Sequence, residues 1–152
     1  KMRVVIQRVS KASVHVNAKS ICGISQGLVI LLGIENNDTV DDINWLTKKI
    51  SNLRIFSDSE GKMNFSIKEI GGEMIVVSQF TLHAKTKKGN RPSYINAAKP
   101  EYAIPLYEKL INELGLESGC NVYSGEFGAN MQVSLINDGP VTIIIDSKNK
   151  KL

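Results

Sequence analysis

Two short stretches hold residue types that could do chemistry. The first is Ser78-Gln79-Phe80-Thr81-Leu82, a polar break straight after the apolar run 74–77. It places two hydroxyls and an amide at the end of a strand. Ser78 or Thr81 could act as a nucleophile, but each needs a base, and the only nearby histidine is His83. The second stretch is Asn137-Asp138-Gly139-Pro140-Val141-Thr142, between apolar runs 131–136 and 141–145. Gly139 can reach backbone angles closed to other residues, while Pro140 fixes its own φ and donates no hydrogen bond. The pair predicts a tight turn joining two strands, with carbonyls held at fixed angles. As a lone Gly-Pro it would read as a hairpin turn without chemistry. Right after the first stretch comes a basic loop with Lys85, Lys87, Lys88 and Arg91. A charge run of this kind is either a solvated face or a holder of phosphates.

Other catalytic patterns are absent. There is no GxSxG elbow, no phosphate-cradling GKS/T loop and no HExxH. Cys22 and Cys120 lie far apart, form no CxxC pair, and have only His15 and His83 as further soft ligands. The inventory therefore points to no metal and no cofactor, and the cysteines read as reduced, packed thiols. Asp138 beside the Gly-Pro pair reads as a turn residue serving its own backbone. What remains is a set of polar strand-end groups, backbone donors, a rigid turn and a basic loop. Such a set can bind and orient a substrate without displaying an acid, a base or a metal.

The elements that must position these groups follow from pattern. Residues 2–9 read as a strand, and 13–16 with 21–24 flank a hairpin composition at 17–20. Residues 27–34 are almost continuously apolar, as in a strand buried on both faces. A helix follows, capped by Asp38 or Thr39, with Asp41 and Asp42 in its first turn. Ile43, Leu46, Ile50 and Leu53 recur on it at helical spacing. Residues 53–56 read as a strand, 58–61 as a turn, and 64–72 as irregular. Residues 73–77 form the strand that delivers the first stretch. A second helix spans 100–114, with Tyr107, Leu110, Ile111 and Leu114 as its stripe, Pro105 tolerated near its start and Gly115 as its stop. Residues 121–124 read as a short strand, and 147–152 as a Lys-rich tail that frays.

The order strands, helix, strand, helix, strands predicts a mixed α/β fold. It is a single domain over residues 1–152, with mixed and antiparallel sheets in a barrel-like β layer flanked by two main helices. The 152 residues suit one domain and can bury roughly 70% of their unfolded surface. Hydrophobic residues at 42% and charged residues at 22% are ordinary for a soluble protein. No apolar run is long enough to cross a membrane as a helix, and no signal peptide opens the chain, so a cytoplasmic protein is expected. Lys1 precedes what reads as a natural start at Met2. The net charge of +4 mildly favours an anionic partner such as nucleic acid.

Taken together, the stretches 78–82 and 137–142 closely resemble the paired signatures of the D-aminoacyl-tRNA deacylases. The opening Met2-Arg3-Val4-Val5-Ile6-Gln7-Arg8-Val9, the segment 88–93 and the stretch from Phe127-Gly128 to Met131 are similar to that family too. The resemblance runs from residue 2 to about residue 146. Tyr94 stands where many members carry Phe. The resemblance implies a homodimeric hydrolase that removes D-amino acids, and mischarged glycine, from the 3′ end of tRNA, with no DNA and no membrane as partner. It implies that the Gly139–Pro140 peptide is cis and enters the neighbouring subunit's site, facing Ser78, Gln79, Phe80 and Thr81. Backbone carbonyls there would exclude L side chains. Backbone N–H groups near Phe80 and Thr81 would stabilise an oxyanion, and the terminal ribose 2′-OH would help activate water. Met131 and Phe127 would line the substrate pocket, and Lys85, Lys87, Lys88 and Arg91 would hold acceptor-stem phosphates. Two other readings stay open: a hydrolase with Thr81 as nucleophile, and a homodimer that binds tRNA, or merely seals its interface, without catalysis.

Overall fold

The structure is a computed structural model that describes residues 1–152. Its organising element is a 14-residue strand, β1 (Arg3–Val16), which merges the two N-terminal strands expected from sequence. β1 turns back at Asn17 and Ala18, both with positive φ, into β2 (Lys19–Ile24), and continues to β3 (Gly27–Gly33). One edge of β1 pairs antiparallel with both: its first half with β3, its second with β2. β6 (Glu73–Ser78) lies parallel to β3, and β7 (Val122–Ser124) lies parallel to β6. The other edge of β1 carries β8 (Met131–Asp146). The result is a mixed, nearly closed, barrel-like sheet.

Alternation along β3 and β6 gives the two faces of the sheet. Leu28, Ile30, Leu32, Met74 and Val76 point to a core shared with α1 (Val40–Asn52) and α3 (Pro100–Ser118). Val29, Ile75 and Val77 point the other way, into a smaller cluster with Val9, Val14 and Ile24 inside the curved sheet. The expectation that 27–34 is buried on both faces therefore holds, because helices cover one side and the sheet's own curvature covers the other. α1 contributes Ile43, Leu46 and Ile50, as its spacing predicts, and Thr39 caps it with Asp42 in a reciprocal capping box. Asp38, the other candidate cap, is instead buried before the helix.

Several boundaries differ from the expectations. Residues 53–56 are not a strand: Leu53 ends α1, and only β4 (Phe56–Ser57) pairs, with β5 (Met63–Phe65). Residues 64–72 are not irregular, because Ser66 and Glu69 form a second capping box that starts the short helix α2 (Ile67–Ile70). α3 does not stop at Gly115. It runs one turn further, tied by Ser118 Oγ donating to Leu114 O at 2.6 Å, and ends at Gly119, whose φ of 68° only glycine takes readily. Pro105 sits well inside this helix rather than in its first turn, on an exposed position where the missing N–H breaks one bond on the solvent side.

The largest correction concerns 137–142, which is not a hairpin turn. β8 passes straight through it and bulges. The step from Gln7 to Val9 on β1 faces the step from Thr142 back to Asn137 on β8, so the intervening residues are looped out. Asn137 secures the bulge: its Oδ1 accepts from Val141 N at 2.8 Å and its Nδ2 donates to Thr142 Oγ1 at 2.9 Å. A turn and a bulge share the same residue types, and only the continuous pairing with β1 separates them.

The tail does not fray from Ser147 as expected. Ser147 is buried, accepting from Met2 N at 3.1 Å and donating to Asp42 Oδ1 at 2.6 Å, and Lys148 Nζ reaches Asp42 at 3.2 Å. Next to it Asp146, also buried, pairs with Arg3 at 3.1 Å. Burial alone would raise the Asp146 pKa, but N–H donors from Lys148 and Asn149 and the Arg3 guanidinium outweigh it and hold the carboxyl below its usual 3.8. The folded state thus binds this proton more weakly than the unfolded chain. Its contribution is complete above the unfolded value and is lost as pH falls through the lower folded value. Asp146→Asn should cost about 2 kcal/mol at pH 7 in denaturant titrations, the size expected for hydrogen bonds to a charged group. The difference from the parent should shrink below pH 4, where the parent carboxyl itself takes up the proton.

Candidate functional site

The C-terminal end of β6 opens into an irregular segment because the polar run 78–82 cannot continue a buried strand. Gln79 N donates to Leu32 O at 2.7 Å, so this residue is still pinned to β3. The chain then winds into a short 3-10 helix over Phe80–His83. The N–H groups of Phe80 and Thr81 open that helix and have no intrahelical acceptor. They are fixed, unspent donors. Gln79 Nε2 donates to Thr81 Oγ1, which orients both side chains.

Beside these donors lies a cavity of about 240 Å³. Leu32, Ile34 and Val77 form its floor, and Ala103 and Tyr107 of α3 form one wall. Phe127, Met131 and Val133 also line it, with Phe80, while Ser78 and Gln79 supply polar side chains. Tyr107 packs edge-on against Phe127 at 5.5 Å between ring centres and donates to Val76 O at 3.0 Å. Burial pushes its hydroxyl up to about 12, so it stays protonated at any working pH. Phe80 packs edge-on against Tyr94 at 4.9 Å, yet it is 55% exposed, so the cavity mouth is open on that side.

The fold thus brings Ser78, Gln79, Phe80, Phe127 and Met131 around one cavity and leaves Thr81 just behind its rim. His83 does not serve Ser78 or Thr81. It is buried, its Nε2 has no partner, and it lines a separate crevice with Arg3, Glu35 and Lys85. The local base considered from sequence is therefore turned away from both hydroxyls. Lys85, Lys87, Lys88 and Arg91 are exposed on a loop beyond the 3-10 helix, pinched at its base by the backbone pairing of Lys85 with Ser93.

Gly139 and Pro140 do not line the cavity of their own chain. Val133 borders it, and at ~3.3 Å per residue Gly139 lies roughly 20 Å further along β8. The Gly139–Pro140 peptide is cis, and both residues are exposed. Gly139 has φ 142°, and a Cβ there would meet Val141 Cγ2 at 2.7 Å and Arg8 Nη2 at 3.2 Å. Arg8 is the support that sequence reading passed over. Its Nε donates to Asp138 O at 2.9 Å and its Nη1 to Ile55 O at 2.7 Å, tying the bulge to the end of α1. No local pattern marks it, since it is one polar residue among several in β1. Ala103 and Tyr107 were equally hidden, because on a helical stripe a cavity wall looks like a core position.

Fold and site define the class: a mixed α/β barrel domain with an apolar pocket at the C-terminal end of one strand and a Gly-Pro bulge exposed elsewhere. Comparison with known proteins carries this further. A family profile described as D-Tyr-tRNA(Tyr) deacylase matches residues 5–146. A D-aminoacyl-tRNA deacylase of Flavobacterium psychrophilum is 64% identical over 150 residues, covering 99% of this chain and 100% of the relative. The solved structure of a c-Myc DNA unwinding element binding protein superposes with a TM-score of 0.88 at 39% identity, over 95% of this chain and 97% of that one. A probable eukaryotic D-amino acid tRNA deacylase shares the fold, with a TM-score of 0.81 at 17% identity, over 95% of this chain and 98% of that one. The chain belongs to the D-Tyr-tRNA(Tyr) deacylase family.

Tyr107 holds the cavity wall rather than carrying a proton. Tyr107→Phe should lower stability by about 1 kcal/mol, the net worth of one hydrogen bond. Its pH–rate profile between pH 6 and 9 should match the parent's.

Proposed function

We propose that this protein hydrolyses the ester bond of D-aminoacyl-tRNA, and of mischarged glycyl-tRNA, releasing the free amino acid and tRNA. The observation that carries the reading is an open apolar cavity beside unspent N–H donors of Phe80 and Thr81, with no base facing either hydroxyl, in a chain of this family. The cavity takes the aminoacyl end. Water attacks the ester carbonyl, and the negative charge that develops on its oxygen meets the Phe80 and Thr81 N–H groups, donors that need no reorganisation. The tetrahedral species then expels the ribose 3′ oxygen, which takes up a proton. The adjacent 2′-OH orients and polarises the attacking water, the role a protein base would otherwise fill.

The stereochemical filter is the Gly139–Pro140 bulge of a second copy, inserted at the open mouth beside Phe80. Two observations support this arrangement. The bulge, in the middle of β8, does not line its own cavity, and β8 has one unpaired edge with exposed Val133, Ile136 and Ile144. Such apolar exposure along an open edge strand is the kind of face that a partner covers. Fixed carbonyls at the α-carbon admit hydrogen or a D side chain and clash with an L side chain, so specificity needs no side-chain recognition.

Thr81→Ala should retain substantial hydrolysis of D-Tyr-tRNA in a release assay, whereas a nucleophile would lose several orders of magnitude. Replacing the terminal 2′-OH by hydrogen should remove most of the rate. A folded but inactive Thr81→Ala, with a covalent adduct trapped on the parent threonine, would move the chemistry to nucleophilic catalysis. Gly139→Ala should lower activity without altering any reacting group, because the added methyl has no room between Val141 and Arg8. Light scattering should give twice the chain mass; a monomer that is fully active sinks the inserted bulge. A chain that binds D-Tyr-tRNA and leaves the ester intact would be a binding module instead.

The exposed loop cations are the first candidates for holding the RNA. Lys87→Gln with Lys88→Gln should weaken tRNA binding and reduce the magnitude of the log–log salt slope by about 2, one for each phosphate no longer neutralised. An unchanged slope would make the loop a solvated surface only.

A further inference from the structure

A second cationic surface lies away from the cavity and the basic loop. The C-terminal half of α1 and the start of the following segment frame a groove of about 410 Å³, bordered by Trp45, Lys48, Lys49, Asn52, Leu53 and Arg54. Lys150 from the C-terminal segment reaches Trp45, one of the bordering residues. The ammonium of Lys150 stands 4.8 Å from the centre of the Trp45 ring, and that of Lys49 stands 5.6 Å from it. The ring's negative face thus holds both cations in place. Lys48, Lys49 and Lys150 are exposed and pair with no carboxylate. Arg54 is spent only on the neutral Asn64, through Nε to its carbonyl at 2.8 Å and through Nη2 to its side chain. Two nearby acids are engaged elsewhere, Asp42 by Ser147 and Lys148, and Asp58 by the N–H groups of Glu60 and Lys62. Three cations, Lys48, Lys49 and Arg54, border a slot with no acid on its rim, and Lys150 stands over its Trp45.

The groove is joined to the Gly139–Pro140 bulge. Arg54 precedes Ile55, whose carbonyl accepts from Arg8, and the same guanidinium holds the carbonyl of Asp138. The α1 end and the bulge are therefore one rigid side of the molecule.

We infer that this groove binds the phosphate backbone of an RNA helix, the stem of the tRNA substrate, at a distance from the ester. The inference rests on the proposed deacylase reading and deepens it. Evenly spaced phosphates match several cations on one face, and neutralising them releases counterions, which makes the contact salt-dependent. In the dimer proposed above, a stem lying on one copy's groove runs beside the bulge that enters the other copy's cavity, so one tRNA touches both copies.

The test uses the full chain with Lys49→Gln and Lys150→Gln combined, which removes both charges and leaves polar side chains in their place. Unchanged circular dichroism and melting temperature confirm the fold. For uncharged tRNA the magnitude of the log–log salt slope of binding should fall by about 2, one per lysine. For D-Tyr-tRNA, KM should rise severalfold with kcat unchanged, while a D-aminoacyl ester on a short CCA oligonucleotide should be hydrolysed at the parent rate. An unchanged slope for uncharged tRNA overturns the inference, and so does an equal loss on the short ester, which would place the effect at the cavity. The same two substitutions abolishing binding to anionic phospholipid vesicles, with tRNA binding unaltered, would also overturn it. If the parent hydrolyses neither substrate, the deacylase reading fails by itself, and the slope for uncharged tRNA still decides the groove.

Discussion

Strand β1 is hydrogen-bonded along both edges, and the remaining structure hangs on how those edges are shared. On one side β3 and β2 divide its length; on the other β8 runs the whole way. A strand so placed must be straight enough to pair and twisted enough to let the sheet curl, and the right-handed twist of each neighbour accumulates into the barrel. The curl gives the molecule two cores. Helices α1 and α3 seal the outer one, and the inner one is sealed by the sheet itself. Because β3 and β6 are buried on both faces, neither can shift register without moving apolar residues to water. This is what fixes Ser78 and Gln79 at the rim of the cavity.

The same pairing explains why a Gly-Pro pair can project from the middle of a strand. Pro140 has no N–H and could not sit in an uninterrupted ladder. The bulge removes that demand: Asn137 Oδ1 accepts from the freed Val141 N–H, and Arg8 donates to the Asp138 carbonyl. A structural device that would weaken an ordinary strand thereby becomes a rigid projection whose carbonyls have fixed directions. The termini of the chain meet nearby for a related reason. Met2, Asp42 and Ser147 form a buried hydrogen-bonded set that joins the start of β1, the first turn of α1 and the end of β8.

The cavity and the cationic surfaces divide the work of recognition in the proposed reaction. An apolar slot with a few aimed donors cannot by itself distinguish a tRNA ester from many other esters, because it reads only the small end of the substrate. In that proposal, charge on exposed loops and helices would supply the rest over longer distances and make recognition sensitive to salt. Neither part needs a protein base at the ester, and the orientation of His83 away from Ser78 and Thr81 accords with that division.

Much of this could be read from the chain alone. Hydrophobic run length marked β3 as doubly buried, helical spacing marked α1, and the order of elements marked a mixed α/β layer. The residues Ser78 to Thr81 stood out because polar groups interrupt a strand that would otherwise be apolar, and local chemistry is sufficient to show such a break. What the sequence left open were the features set by long-range pairing. Whether 137–142 turned back or bulged depended on β1, some 130 positions away, and the residue types suit both. Gly115 was the expected stop of α3, and the hydrogen bond of Ser118 and the backbone at Gly119 carry the helix one turn past it. Arg8, Ala103 and Tyr107 carry no local mark, since a support or a cavity wall has the composition of ordinary strand and helix. Sequence marks the strongly periodic strands and helices and the polar breaks, because those depend on periodicity over a few residues, but not short elements such as β4, β5 and α2. Tertiary structure alone decides which breaks meet, which charges share a face and where a cavity remains, because each depends on contacts between segments that periodicity does not relate.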